Sequence, residues 1–515
     1  MNIAFRADAS TEIGVGHVMR CLTLANELKK YGARIRFVGY GLSAFLLDML
    51  VLRGIEFVSP DREITNDQFN ELSHAKWLGA SQVHDAHATS RALSDRLWDW
   101  IVVDHYALDK RWETILRPHA KRLLVIDDLA DRAHDCDLLL DQNLFTNAGA
   151  RYADKLPAHC VLMLGPHYAL LQPEYAELHR HTSPREGPIK RIMVYFGNAD
   201  ALDLTGMAIR AFLLLGRSDI ALDVVVHACN PQIESIRQKT IGHRNIVLHS
   251  DLPTLAPLMA QSDFAIGSGG TSSWERCCVG LPSLVITLAD NQRVITEELD
   301  RLGAVRWLGH VGAVTVSILA HALEQFLSED LPKTWSQTCQ RVVDGRGCSR
   351  VRSVMMLSAN TPLLARKVKL DDEALLLQWS NDQLVRQNAF STGAIDAATH
   401  RAWFHKRLHD LEHCQLYVVE TLDGFPVGQV RFERSGREWE IDYSLDALCR
   451  GAGLAKPLLR AAMITLRNIE PGAVVFGRVK SKNIASQRVF AGLGFEVHTV
   501  KSELASSEFV YRCIL

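Results

Sequence analysis

The 515-residue sequence lacks several features that mark whole classes of protein. Its eleven cysteines, an odd number, include no Cys-x-x-Cys pair, which argues against a disulfide framework or a structural zinc site. No apolar run approaches the ~18 residues of a membrane-spanning helix. The segment Met1–Arg6 has no basic region followed by an apolar stretch, so no signal peptide is expected. Because the net charge is only −2, neither nucleic acid nor a membrane is an expected partner, and a cytoplasmic enzyme or binding protein is predicted.

The chain is long enough for about three domains. Its 47% hydrophobic and 23% charged residues are typical of soluble globular proteins. Over roughly the first 150 residues, apolar strand-like runs alternate with helical stretches, and two of these runs end in Asp104 and Asp127, which we expect to cap the helices that follow. After a polar linker at 179–188, a second alternating unit begins with a strand at 192–196. Such alternation predicts parallel α/β sheets with ligands beyond the carboxyl ends of the strands.

The first candidate site is a glycine loop that follows the apolar start of the chain. Gly14 and Gly16 allow the backbone to approach a ligand closely, and the helix after them offers free N–H groups to an anion. His17, directly behind the loop, can accept a proton near neutral pH. The alternative is that His17 only caps or packs the first helix, because a short glycine motif is a weak indication on its own.

A second loop of small residues lies between an apolar strand and a helix at 272–279. Strand, loop and helix start together suit a phosphate group, and the loop consists of Gly267, Ser268, Gly269, Gly270 and Thr271. Glu275, one turn into the helix, can accept hydrogen bonds from ribose hydroxyls; alternatively it is an ordinary first-turn acid favoured by the helix dipole. Two units of this kind predict two facing Rossmann-like domains with a ligand between them.

These motifs carry a resemblance to a known family. The run Gly-x-Gly-His-x-x-Arg-Cys and the later GSGGTSSWERCCVGLPSLVI, followed by Ala-Asp-Asn-Gln at 289–292, resemble the UDP-sugar hydrolases of pseudaminic acid biosynthesis over residues 1–357. The resemblance implies two facing Rossmann domains related to inverting glycosyltransferases. It also implies that His17 activates water, that Tyr106 and Asn291 lie near the sugar, and that the two glycine loops and Glu275 hold UDP. Relatives carry a double glycine where this chain has Phe-Gly-Asn-Ala-Asp at 196–200, so no role for that loop follows.

The implied chemistry needs few groups. UDP leaves as a stable anion, so one base and a preorganised anion pocket suffice, unlike the two carboxylates of most glycosidases. No metal is expected in this half, because the histidines lie on separate segments: His105, His134, His159 and His167.

A break at 358–362 introduces a third unit with its own glycine loop. Arg450, Gly451, Gly453 and Ala455 form an Arg-Gly-x-Gly-x-Ala motif at the start of an apolar helix, which would surround a pyrophosphate with N–H groups. The alternative is a glycine-rich turn with an incidental arginine. With the later segment NIASQRVFAGLGF at 483–495, the pattern resembles the GNAT acetyltransferases over residues 363–515. The resemblance implies acetyl-CoA as co-substrate, its pyrophosphate on the loop and its pantetheine beside a splayed strand, with contacts from Tyr443, Leu445, Asn483 and Ser486.

One position departs from the GNAT pattern. Phe490 stands where many relatives have a tyrosine that protonates the leaving thiolate, and phenylalanine cannot donate that proton. Glu433 or Glu440 is a candidate base for the substrate amine; alternatively each is a solvated strand residue. Within the family, the segments around Arg386, at 403–404 and at 441–445 resemble the enzymes that N-acetylate a UDP-4-amino-4,6-dideoxy sugar.

Together these patterns predict an α/β fold: two facing Rossmann-like domains of GT-B type at 1–170 and 185–357, then a GNAT α+β domain at 363–515. The resemblances imply two consecutive reactions on UDP-sugar substrates, acetylation by acetyl-CoA followed by release of UDP. One alternative is a hydrolase or glycosyltransferase of another surface polysaccharide with a fused acetyltransferase. Another is a non-catalytic sensor of nucleotide sugars, against which the intact His17 and the loop at 450–455 argue.

Overall fold

The computed structural model describes residues 1–10, 12–61, 72–197, 200–228, 230–250, 252–500 and 508–515. These residues form two compact units, Met1–Arg352 and Ser353–Leu515. Two positions of the loop at 196–200, Asn198 and Ala199, lie outside the described residues. Among the residues that are described, no helix is both long and apolar enough to cross a lipid bilayer.

The first half of the N-terminal unit is built on a parallel sheet of seven strands in the order β3-β2-β1-β4-β5-β6-β7. The strands are β1 (Asn2–Arg6), β2 (Arg34–Val38), β3 (Glu56–Val58), β4 (Trp98–Val103), β5 (Ala120–Ile126), β6 (Leu138–Asp141) and β7 (Val161–Leu164). The helices are α1 (Gly16–Lys30), α2 (Ala44–Leu52), α3 (Gln82–Ala92) and α4 (Lys110–Leu116). Strands β1, β4 and β5 are apolar and mostly buried, as a parallel sheet covered by helices requires. The strand order reverses between β1 and β4, which opens a crevice at their carboxyl ends.

The second half repeats this plan with six parallel strands in the order β10-β9-β8-β11-β12-β13. These strands are β8 (Arg191–Tyr195), β9 (Ala221–Val226), β10 (Ile246–Ser250), β11 (Phe264–Ser268), β12 (Ser283–Thr287) and β13 (Arg306–His310). The helices are α5 (Pro173–His181), α6 (Leu204–Leu214), α7 (Ile233–Thr240), α8 (Ala256–Gln261), α9 (Ser272–Cys278), α10 (Asp290–Arg301), α11 (Val316–Leu327), α12 (Lys333–Val342) and α13 (Gly347–Met356). Here the order reverses between β8 and β11, so the second glycine loop leaves the sheet at the equivalent point.

The two halves of this unit contact each other directly. Thr146, after β6, donates a hydrogen bond of 2.9 Å to Glu298 on α10. In the middle of α13 the chain contacts the first half again, where the Arg352 guanidinium lies 4.0 Å from the centre of the Tyr31 ring and 3.6 Å from the Glu27 carboxylate. Two Rossmann-like halves of the GT-B type were predicted, and this architecture is confirmed.

The C-terminal unit contains a mixed sheet in the order β14-β15-β16-β17-β18-β20-β19. Its strands are β14 (Leu363–Lys367), β15 (Cys414–Thr421), β16 (Pro426–Ser435), β17 (Glu438–Leu445), β18 (Val474–Lys480), β19 (Glu496–Val500) and β20 (Glu508–Ile514). The helices are α14 (Glu373–Ser380), α15 (Gln383–Asn388), α16 (Ala397–His409), α17 (Ala455–Ile469) and α18 (Ile484–Ala491). The predicted α+β fold of this unit is confirmed.

Strands β17 and β18 run in parallel but separate after a short contact. They pair only through Trp439 with Val475 and Glu440 with Phe476, whereas β17 pairs with β16 along its whole length to Leu445. On the side away from β16, the backbone groups of 441–445 are therefore not paired with β18, and an unpaired strand edge of this kind can receive an extended ligand chain.

Candidate active sites

His17 lies in the first turn of α1, just beyond the carboxyl end of β1. Its Nδ1 atom is 2.6 Å from Oδ1 of Asp104, the residue that follows β4, and both side chains are buried. A carboxylate can only accept a hydrogen bond, so Nδ1 carries the proton and Nε2 keeps the lone pair. In the neutral imidazole this contact selects the tautomer with its lone pair on Nε2, which is the tautomer that a general base needs.

The expectation that Asp104 and Asp127 cap helices was wrong. Helix α4 is capped by Asp109 instead. The Asp104 carboxylate binds His17, and the Asp127 carboxylate accepts two backbone N–H groups in a turn and pairs with Arg132. An aspartate after a strand looks the same in sequence whether it caps a helix or holds a distant side chain, and His17 is 87 positions away from Asp104.

Arg20 binds the same carboxylate and was not considered in the sequence analysis. Its Nε and Nη2 atoms donate to the two oxygens of Asp104 at 2.6 and 2.7 Å, a bidentate pair, while Nη1 lies 3.0 Å from Asp128. Burial would raise the pKa of Asp104, but Arg20 and His17 outweigh it and hold that pKa well below its usual range. Asp104 thus stays ionised and can stabilise an imidazolium that forms on His17.

Tyr106 and Asn291 were the other predicted catalytic residues. The Tyr106 ring stands edge-on to the His17 imidazole, with ring centroids 4.6 Å apart. Burial and the nearby Asp128 carboxylate raise the pKa of Tyr106, which keeps its hydroxyl protonated. Asn291 lies exposed in the first turn of α10, on the second Rossmann-like half. The structure thus brings Tyr106 to His17 and places Asn291 on the other half.

The first glycine loop borders open space. Gly14 has a φ of +75°, in the left-handed region that favours glycine, and a Cβ atom on Gly14 or Gly16 would meet nothing within 4 Å. Helix α1 begins after Val15 without a side-chain cap, so its first N–H groups are available to a ligand. The loop is therefore shaped to admit an anion beside His17.

The second glycine loop divides into a packed part and an open part. A Cβ atom on Gly267 would lie 2.6 Å from the carbonyl oxygen of Tyr195, and one on Gly269 would lie 2.5 Å from Oγ1 of Thr296. These two glycines are therefore required by packing. Beside Gly270 the nearest atoms are 3.8 Å away. Of the two neighbouring hydroxyl residues, Ser268 is buried and Thr271 is exposed, so the open end of the loop is at 270–271.

Arg276 lies buried beneath this loop and was missed by sequence reasoning. Its Nη2 atom donates to the Ser268 carbonyl at 2.8 Å, and its two Nη atoms bind the hydroxyls of Ser272 and Ser273 at 3.0 Å. These hydrogen-bond partners of the guanidinium are all uncharged, and burial lowers the pKa of Arg276. A fixed cation under the loop favours an anion above it.

Glu275 adjoins Arg276 in the same helix. Burial raises the pKa of Glu275 to about 7, and the neighbouring Tyr175 hydroxyl acts in the opposite direction. Its charge therefore changes close to neutral pH, unlike the charge of an exposed first-turn glutamate.

The loop at 450–455 has two glycines in the left-handed region. Gly451 has φ +75° and open space beside it, whereas Gly453 has φ +77° and a Cβ there would lie 3.0 Å from that of Ala359. The Arg450 guanidinium turns back to Asp382, at 2.6 Å, which ties the loop to α15. Helix α17 begins at Ala455 without a side-chain cap, so the loop and helix start present free N–H groups.

The other predicted acetyl-CoA contacts lie on β17 and at the start of α18. Tyr443 and Leu445 are on the part of β17 that β18 does not pair with. The Tyr443 hydroxyl lies 3.0 Å from Oγ of Ser486, and Asn483 caps α18 by accepting from the Ser486 N–H at 3.1 Å. The structure thus brings Tyr443, Asn483 and Ser486 together, while Leu445 lies further along β17.

Phe490 is buried in an aromatic cluster. Its ring packs against Tyr443, Phe495 and Tyr511 with centroids 6.0, 5.0 and 5.4 Å apart. Neither candidate base is free: Glu433 pairs with Arg407 at 2.7 Å, and Glu440 pairs with Arg478 at 2.7 Å. Each of the two carboxylates is therefore engaged by a guanidinium in this structure.

Within the described ranges, no group of three or more His, Cys, Asp or Glu side chains is arranged to hold a metal ion. Two buried histidines of the N-terminal unit are each paired with a different carboxylate, His105 with Asp8 at 3.2 Å and His134 with Glu113 at 2.7 Å.

Comparison with known proteins assigns a family to the C-terminal unit. Residues 363–496 match the acetyltransferase (GNAT) domain family. The N-terminal unit is 23% identical, over 271 residues, to the UDP-2,4-diacetamido-2,4,6-trideoxy-β-L-altropyranose hydrolase of Campylobacter jejuni, an alignment that covers 53% of this chain and 86% of that protein. The predicted resemblance to both families is thereby confirmed.

Two further relatives extend the comparison. The uncharacterized protein MJ1062 of Methanocaldococcus jannaschii is 22% identical over 509 residues, covering 96% of this chain and 97% of its own. The spore coat polysaccharide biosynthesis protein SpsG of Bacillus subtilis is 25% identical over 199 residues, covering 37% of this chain and 57% of SpsG. This chain therefore joins a region similar to a UDP-sugar hydrolase to a GNAT acetyltransferase domain.

Proposed function

We propose that this chain is a bifunctional enzyme that carries out two consecutive reactions on one nucleotide sugar. The GNAT domain N-acetylates UDP-4-amino-4,6-dideoxy-L-AltNAc with acetyl-CoA, and the N-terminal unit then hydrolyses UDP-2,4-diacetamido-2,4,6-trideoxy-β-L-altropyranose. The support is the pairing of the two similarities on one chain, because the product of the first reaction is the substrate named for the Campylobacter jejuni relative. In this proposal the enzyme acts in pseudaminic acid biosynthesis in the cytoplasm.

The observation that carries the hydrolytic half is the buried His17–Asp104 pair beside an open glycine loop. Nε2 of His17 takes a proton from water as the water oxygen attacks the anomeric carbon. The bond from that carbon to the UDP oxygen breaks, and UDP leaves with the electron pair. Uncapped N–H groups of the loops and the cation of Arg276 stabilise the diphosphate charge that develops. Asp104 stabilises the imidazolium until it loses its proton to solvent.

The acetyl transfer needs acetyl-CoA held along the gap between β17 and β18. In this proposal the loop at 450–455 binds the pyrophosphate, and the unpaired backbone of 441–445 binds the pantetheine. The nitrogen of the substrate amine attacks the thioester carbonyl carbon and forms the amide C–N bond, the C–S bond breaks, and the CoA thiolate leaves and takes a proton from solvent. Because Glu433 and Glu440 are ion-paired, water accepts the proton from the amine in this account.

A second candidate keeps the enzyme class and changes the sugar. The similarity to SpsG of Bacillus subtilis favours a hydrolase or glycosyltransferase of another surface polysaccharide, again with a fused acetyltransferase. Groups that bind UDP do not define the sugar, so these two candidates share the same nucleotide site.

A two-product assay tests the proposal. The purified protein is incubated with UDP-4-amino-4,6-dideoxy-L-AltNAc, with and without acetyl-CoA, while free CoA and free UDP are followed. We expect CoA to be released first and UDP to be released only when acetyl-CoA is present. Release of CoA without UDP would leave the N-terminal unit with another substrate. Release of neither product would favour the polysaccharide candidate.

A further inference from the structure

Three aromatic rings form a continuous wall beside His17, and two of them have no role in the proposed reaction. Trp77 ends a short 3-10 turn at Ala75–Trp77, and its ring is stacked with that of Tyr106 at 5.6 Å and an angle of 24°. His74 contacts both rings, at 4.5 Å from Trp77 and 5.2 Å from Tyr106. The His17 imidazole stands edge-on to this wall, 4.6 Å from Tyr106 and 6.4 Å from Trp77.

The wall is placed at the surface of the site rather than in the core. His74, Trp77 and Tyr106 are each half-buried, unlike the core tryptophans Trp98 and Trp112. The Nδ1 atom of His74 is itself buried, and no residue in the described part of the chain hydrogen-bonds to it. A large, partly exposed apolar surface next to a general base indicates a surface that a substrate covers.

The chemistry of the wall selects one part of a nucleotide sugar. A diphosphate is bound by N–H groups and cations, and aromatic faces of this kind do not supply them. A pyranose ring presents C–H bonds on one face, and a 6-deoxy sugar adds a methyl group, so the glycosyl group has an apolar surface that an aromatic face can bury. A sugar on this wall also keeps its anomeric carbon beside His17.

We infer that Trp77, with His74 and Tyr106, binds the apolar face of the glycosyl group. Because of this contact, the site binds a UDP-linked deoxy sugar more tightly than it binds UDP alone. This inference rests on the proposed function, because it names the sugar-binding side of the same site. Trp77 supplies the largest apolar surface, and His74 supplies a ring nitrogen for a polar substituent of the sugar. Neither residue takes part in the proton transfer.

Binding measurements separate this role from catalysis. Isothermal titration calorimetry compares UDP with the C-glycosidic phosphonate analogue of UDP-2,4-diacetamido-2,4,6-trideoxy-β-L-altropyranose, which cannot be hydrolysed. For Trp77→Ala we expect the dissociation constant of the analogue to rise at least 10-fold and that of UDP to change less than 2-fold. Phe45→Ala is the control, since Phe45 is a 63% exposed aromatic residue of the same unit. This control should bind both ligands as the wild type does.

A milder variant guards against loss of folding. Trp77→Phe keeps an aromatic face and should retain most of the affinity for the analogue. Because the phenyl ring is smaller than the indole ring, we expect the dissociation constant of the analogue to rise only a few-fold. Unchanged analogue binding in Trp77→Ala, or an equal loss of UDP and analogue, would overturn the inference. If the wild type binds the analogue through Trp77 but does not hydrolyse the parent UDP-sugar, the proposed function fails and the inference stands.

Discussion

The hydrolase-like site and the acetyltransferase site of this chain handle protons in different ways. In the first, a buried carboxylate and a bidentate arginine fix the tautomer of one histidine. In the second, both candidate glutamates are tied to arginines and the usual tyrosine position holds Phe490. Water is a poor nucleophile and needs a base, whereas a neutral amine attacks a thioester without one once it is positioned. We therefore expect the first site to depend on single side chains and the second to depend on how it holds acetyl-CoA.

The largest effect is expected from removal of the base. His17→Ala should lower the rate of UDP release by about 10³-fold, because general bases contribute ~10²–10⁴-fold. Acetyl transfer by the same variant should stay unchanged. Both rates are measured by following CoA and UDP in one reaction. His159→Ala, which removes an exposed histidine of the same unit, is the control. Loss of both activities in His17→Ala would contradict two independent sites.

The next largest effect concerns the residue that orients the base. Asp104→Asn keeps the size of the side chain but loses the charge that stabilises an imidazolium, so UDP release should fall about 10²-fold. Asp99→Asn, which removes a carboxylate paired with Lys121 near the surface, is the matched control. If Asp104→Asn released UDP at the wild-type rate, the buried pair would be a structural feature and not part of the reaction.

A negative charge in the loop at 450–455 should weaken the binding of acetyl-CoA. Gly451→Asp and Gly451→Asn introduce side chains of the same shape at φ +75°, a conformation that both residues tolerate better than others. Only the aspartate repels a pyrophosphate, so its dissociation constant for acetyl-CoA should be about 10-fold higher than that of the asparagine variant. Calorimetry with acetyl-CoA measures both. Equal dissociation constants for the two variants would show that the pyrophosphate does not bind at this loop.

The smallest expected effect is a change in thermal stability with pH. The pKa of Glu275 is about 7 in the folded protein and 4.5 in its ordinary state. Folding therefore favours the protonated form of Glu275. The contribution of this preference to the free energy of unfolding is fully present below pH 4.5 and is lost as the pH rises through about 7. The Tm of Glu275→Gln relative to that of the wild type should therefore rise by ~2–4 °C when the buffer is changed from acidic to mildly alkaline.

The control for this effect is Glu324→Gln, an exposed position on α11. Its melting curve should follow that of the wild type at every pH. Melting temperatures of Glu275→Gln that run parallel to the wild type across the range would show that Glu275 titrates normally.

Much of this arrangement follows from local sequence patterns. The glycine loops, the strands before them and the mixed C-terminal sheet were predicted, because hydrophobic periodicity and left-handed glycines are local signals. The partners of the charged groups were not predicted, because Asp104 meets His17 only when β1 and β4 pair. The packing role of Gly267 was also not predicted, since it depends on the Tyr195 carbonyl of another strand. Arg276 was visible in the motif, but nothing local indicated that it is buried under the loop.

The measurement that tests the central claim most directly is a mixing experiment with two variants. His17→Ala and Gly451→Asp are each incubated with the amino sugar nucleotide and acetyl-CoA, alone and then together. With acetyl-CoA at or below the wild-type dissociation constant, each variant alone should release little UDP, because one lacks the hydrolytic base and the other is mostly free of acetyl-CoA. Mixed, they should restore acetyl-CoA-dependent UDP release, since the acetylated sugar nucleotide passes through solution from one to the other. Failure of the mixture, with each variant retaining its own half-reaction, would contradict the account of two independent sites in sequence.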